Sequence, residues 1–171
     1  WRHETPERKL PPEELFGAMR AGIRYVRHSP PLRTVLVRTG TFVAPASSVW
    51  ALLPLYARGE LGLGAAGYGV LLGFFGVGAV MTGLLLPRLR NRLGVERLAT
   101  GAAFVFALSQ LALGLFPAFA PAAVSLFVAG GTWLVLLSTL NAAAQMAIPS
   151  WVRARAIATH LLVLFGGLAA G

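Results

Sequence analysis

Residues 122–157 read AAVSLFVAGGTWLVLLSTLNAAAQMAIPSWVRARAI. From Ala122 to Ile148 no side chain is charged, and then Trp151, Arg153 and Arg155 arrive together. The run exceeds the roughly 20 apolar residues that carry a helix across the hydrocarbon core of a bilayer. Arginines just past its end suit a turn among lipid headgroups, with an indole at the same depth. The stretch reads as a membrane span followed by a short cytoplasmic turn, and the rest of the chain follows from it.

Working outward, the same kind of run recurs at Val35–Tyr56, Tyr68–Leu86 and Leu98–Phe116. A fifth begins at Ala156 and is still apolar at Gly171, short of a full crossing. The 171 residues are 56% hydrophobic and 12% charged, about half the charged share of a soluble domain. A soluble domain would need a charged skin, and the skin of this chain is lipid. The sequence opens on Trp1, and its start is charged rather than patterned as a signal peptide. Both ends read as cuts, so a longer membrane protein is expected. Residues 1–33 form a cytoplasmic linker and residues 34–171 a transmembrane domain, giving an all-α, polytopic helix bundle with five spans present.

Lysine and arginine counts before, between and after the first four spans run seven, one, four, none and two. That alternation follows the positive-inside rule for a multi-pass protein. It places the N-terminal segment in the cytoplasm and accounts for the net charge of +9 without a nucleic-acid partner, since no base-reading or stacking groups gather with the charge.

The linker has its own pattern. Leu15, Met19, Gly22, Ile23 and Val26 fall on one helical face, and Gly17, Arg20, Arg24, Arg27 and His28 on the other. Pro11 and Pro12 suit a helix start, Glu13 and Glu14 its first turn, and Pro30 and Pro31 its end. A basic amphipathic helix lying in a membrane interface is expected there.

Chemistry is sparse. There is no cysteine and no aspartate, and His3, His28 and His160 lie far apart in sequence. Thiol nucleophiles, disulfides and thiolate metal sites are excluded, no cofactor is implied, and no phosphate-cradling or nucleophile-elbow motif occurs. A membrane-embedded enzyme should show His, Asp or Glu clusters inside the spans. These spans show none, which leaves a non-transporting enzyme or assembly scaffold as the alternative to a transporter.

Two features of the spans carry more. Gly69, Gly73, Gly76 and Gly83 share one face of the second span by spacing, a pattern that lets helix backbones approach closely. Ser138, Asn141 and Gln145 share a face of the fourth span; Asn and Gln are costly against lipid, so that face turns toward a cavity or a partner helix. Arg38 lies one turn inside the first span, where it either snorkels to the inner headgroups or pairs with a substrate or a neighbouring domain. His160 lies just beyond the arginine turn as a proton carrier or a packing residue.

The segment NAAAQMAIPSWVRARAIA resembles the Asn-x-x-x-Gln…Pro-x-Trp-Val-Arg-Ala-Arg pattern of the enterobactin-exporter-like branch of the major facilitator superfamily, with Ser150 where an acidic residue is expected. GLLLPRLRNRLGVERL is similar to the second-half copy of that superfamily's loop motif. Gly83 and Arg88 match its first positions and Gly94 and Arg97 the later pair, with Arg90 and Arg92 between. Pro87 replaces the acidic position. The approach AGIRYVRHSPPLRTVLVRTG also fits. The resemblance implies the C-terminal half of a twelve-helix fold, partnered by an N-terminal half of the same chain, in a bacterial plasma membrane. It implies a secondary transporter that exports small organic molecules, drug- or siderophore-like, by rocking one half against the other around a midplane site.

Overall fold

The computed structural model describes residues 24, 28–146 and 153–170. Among them every regular element is a helix: α1 (Pro30–Ala46), α2 (Ser48–Gly59), α3 (Ala65–Leu93), α4 (Val95–Leu115), α5 (Phe119–Met146) and α6 (Arg153–Ala170). Four stretches are long and apolar enough to cross a membrane: Leu32–Gly59, Ala65–Leu93, Val95–Leu115 and Phe119–Met146. The apolar part of α6, Ile157–Ala169, is shorter. Arg24 and His28 are helical, and the His28 Nδ1 lies 2.8 Å from the Arg24 carbonyl. The remainder of the amphipathic helix expected before Pro30 lies outside the described residues, as does Trp151.

The first crossing, Leu32–Gly59, is interrupted at one residue, Ser47. Pro30 and Pro31 begin α1 in its first positions, where a missing N–H costs nothing. Pro45 then sits inside the helix, removing one N–H and crowding the preceding turn. The chain turns at Ser47 and resumes as α2. Inside lipid the interrupted carbonyls need donors. Ser48 Oγ donates to the Pro45 carbonyl at 2.6 Å and Ser47 Oγ to that of Ala44.

The arginines of the loop motif lie mostly on helix. α3 continues past the apolar run through Arg88, Arg90 and Arg92, because arginine is a good helix former and favours the negative end of the helix dipole. The connection to α4 is Gly94 alone, at φ 74°, a left-handed conformation that glycine adopts without steric cost. Arg97 falls in the first turn of α4.

α5 is the hub. Its buried residues occur along its whole length, from Ala122 to Ala144, and it packs closely on α3 and α4 and contacts α1 and α6. The closest approach is to α3. A Cβ on Gly78 would overlap the Phe127 carbonyl, one on Gly130 would overlap the Phe75 carbonyl, and one on Gly131 would crowd the Thr82 hydroxyl. Backbones therefore touch, the usual device for packing helices in lipid. The glycines grouped by spacing differ from one another in what they meet among the described residues. A Cβ on Gly69, Gly73 or Gly76 would meet nothing within 4 Å; at 3.6 residues per turn these three lie about half a turn round α3 from Gly78. Gly83, on the same side as those three, meets α5 only through the tip of the Leu134 side chain, 2.9 Å from a Cβ.

Aromatic rings fill the space between α1, α2, α4 and α5. Trp133 stands beside Phe42, Phe106 and Trp50, with centroids 5.4, 6.1 and 6.2 Å away. Phe42 meets Phe106 edge-on at 5.3 Å and Trp50 meets Phe75 at 5.1 Å, separations at which aromatic pairs are attractive beyond their buried area. α6 rests on α1, with Val163 beside Gly40 and Gly167 beside Val43.

Candidate functional site

Polar side chains are scarce in these helices, and most of them collect around α5. On one of its faces, Ser138 and Asn141 follow each other by three residues and reach different neighbours. Arg90, near the end of α3, donates from Nη2 to Ser138 Oγ at 3.1 Å, while Ser138 donates to the Val135 carbonyl at 3.0 Å. Asn141 Oδ1 lies 3.1 Å from Nε2 of His160 on α6. Two atoms in this group are buried without a partner, Arg90 Nε and His160 Nδ1. Gln145, the third residue expected on this face, is exposed near the end of α5. Arg153 and Arg155 belong to the first turn of α6.

The reverse face of α5 is different in character. There α1, α4 and α5 enclose a cavity of about 750 Å³, lined on α5 by Leu136, Thr139, Leu140 and Ala143. Phe42 and Phe106 contribute aromatic walls. Two polar groups of the lining, Gln110 Nε2 and Thr139 Oγ1, are buried with no hydrogen-bond partner. Arg38 and Glu96 also line it and form a 2.7 Å ion pair between α1 and α4. Both side chains are more than half exposed, so the pair contributes little to stability.

The four candidate residues lie in two places. Ser138 and Asn141 do share a face, as their spacing says, but each is engaged by a neighbouring helix. Arg38 lies on the opposite side of α5, paired to Glu96. Gln110 and Thr139 were missed by sequence reasoning. Gln110 was visible as a lone amide in an apolar span, whereas a threonine in a helix commonly satisfies its hydroxyl on its own backbone, as Thr132 does on Val128 and Ala129, and gives no signal. Among the described residues no group of three metal-binding side chains occurs.

Residues 1–171 match the sequence profile of a family described as transmembrane secretion effector. No curated protein and no solved structure matches the chain.

Proposed function

This chain belongs to the transmembrane secretion effector family of the major facilitator superfamily, a family of transporters rather than enzymes, and we propose that it forms one rocking half of a secondary exporter of small organic molecules. The enterobactin-exporter-like branch is the closest reading of the 141–155 motif, and a bacterial plasma membrane with a cytoplasmic N-terminal segment agrees with the arginine distribution.

The observation that carries the proposal is the polar face of α5. An otherwise apolar central helix presents Ser138 and Asn141 toward Arg90 and His160. Ionisable side chains within a membrane bundle are expensive and mark pathways by default. The substrate passes along the edge of this face that stays open, where Ser138 and Asn141 are only half-buried. Tight backbone contact of α3 with α5 makes those two helices a rigid unit that moves as one body.

A second position for substrate is favoured by the unpartnered Gln110 and Thr139 in the reverse cavity. Its volume and apolar walls suit a drug-sized, largely apolar molecule. Efflux tests the proposal. Cells expressing the full-length protein are loaded with a panel of lipophilic fluorescent dyes and then energised. Dye loss that saturates with loading and stops when the membrane gradient is collapsed is the expected result. Accumulation identical to control cells across the panel, with the protein confirmed in the membrane, contradicts it.

A further inference from the structure

His160 is the one fully buried titratable side chain among the described residues, 2% exposed. Its ring is asymmetric. Nε2 faces Asn141 Oδ1 at 3.1 Å, an oxygen that can only accept, so Nε2 carries the hydrogen and donates. In the neutral ring Nδ1 is then a bare lone pair, and it is buried with no partner. Among the described residues no carboxylate stands against the ring. The only described carboxylates are Glu60, exposed in the turn after α2, and Glu96, held by Arg38. α5 has no charged or titratable residue from Phe119 to Met146, and α1 brings only Arg33 and Arg38, both exposed. Arg90 reaches α5 one turn away at Ser138. On α6 itself the charged residues are Arg153 and Arg155, earlier in the helix.

A proton added to Nδ1 creates an N–H for which the packed arrangement has no acceptor, and a buried unsatisfied donor is costly. Nε2 keeps its bond to Asn141, so relief comes only if α6 shifts and lets Nδ1 meet water. α6 is held chiefly by α1, with Val163 at Gly40 and Gly167 at Val43, and touches α5 little beyond the histidine bond.

We propose that His160 is a proton-binding site coupled to the movement of α6. With α6 displaced, a proton from water adds to the Nδ1 lone pair, forming the N–H bond. Before α6 closes again that N–H bond breaks and the proton returns to water, so the packed state holds the ring neutral. In the exporter proposed above, on which this step rests, the position of α6 against α1 and α5 follows the protonation of His160. Asn141 is the positioning residue that fixes which nitrogen is free.

The test needs no substrate, so its failure and the failure of the efflux reading are separate events. Full-length protein labelled with ¹⁵N-histidine is placed in lipid nanodiscs, and the His160 signal is assigned by its loss in His160→Gln. Spin labels at Val37 on α1 and Leu162 on α6, both exposed, report the distance between those helices. The wild type should show the Nε2–H tautomer when neutral, titrate once, and change its interhelix distance with the same midpoint. His160→Gln should abolish the pH-dependent distance change. Asn141→Ala, which leaves the ring in place, should give a mixture of tautomers and shift the midpoint. A ring that keeps one protonation state from about pH 5 to 8, or that titrates while the distance stays constant, overturns the proposal. So does a pH-dependent movement that survives in His160→Gln.

Discussion

Gly130→Ala tests how α3 and α5 are held. The added methyl would overlap the backbone carbonyl of Phe75, and a backbone carbonyl, unlike the tip of a long side chain, has no rotamer in which to retreat. The helices must separate by on the order of 1 Å to restore van der Waals distance, which weakens contacts all along the seam. The reciprocal contact at Gly78 with the Phe127 carbonyl opens at the same time. Overpacking of this kind costs about 1–3 kcal/mol, which for a chain of this size lowers the melting temperature by roughly 2–10 °C. Gly73→Ala is the control, on the partner helix α3. It faces open space, and alanine favours helix over glycine by about 0.5–1 kcal/mol, so the melting temperature should hold or rise. Both are measured on the full-length protein in detergent by tryptophan fluorescence, Trp50 and Trp133 reporting the adjacent core. A Gly130→Ala protein that melts with the wild type, while Gly73→Ala melts early, would refute the packing assigned to α3.

Phe106→Ala removes a buried ring that contacts both Phe42 and Trp133; it should cost about 3 kcal/mol and shift Trp133 emission, and an unchanged spectrum and melting curve would place the aromatic cluster elsewhere. Glu96→Gln breaks the exposed pair with Arg38 and should leave the melting temperature unchanged, so a clear loss would mean the pair is shielded from water. In intact cells, single cysteines at Gly64 and Phe119 should react with a membrane-impermeant thiol reagent while one at Arg92 stays protected; labelling of the Arg92 position from outside would invert the topology.

The helices were legible because lipid imposes a crude requirement, length without charge, that α3, α4 and α5 meet in plain sight. Their ends were less so: Arg88, Arg90 and Arg92 mark where lipid stops, not where hydrogen bonding does, and α3 runs on to Leu93. The break at Ser47 was announced by Pro45 but hidden in an otherwise continuous apolar run. Periodicity placed Gly69, Gly73 and Gly76 together correctly, yet it cannot say what a face meets. The contact fell to Gly78, whose partners Phe127 and Gly131 lie some fifty residues away in sequence. The same limit governs the site. Asn141 and Ser138 could be grouped from spacing alone, but their partners Arg90 and His160 come from two other helices, and only the assembled bundle joins them.

The central claim is that substrate moves along the polar face of α5. In a cysteine-free background of the full-length protein, single cysteines at Asn141 on that face, Ala143 in the reverse cavity and Ala129 in the packed core separate the possibilities. Their rates of reaction with a small polar thiol reagent are measured in the full-length protein, with the gradient present and collapsed. Position 141 should react, at a rate that changes between the two states, while position 129 stays inert and position 143 reacts slowly in both. Equal inertness of positions 141 and 129 in both states would remove the pathway from this face, and state-dependent reaction at 143 instead would move it to the cavity beside Gln110 and Thr139.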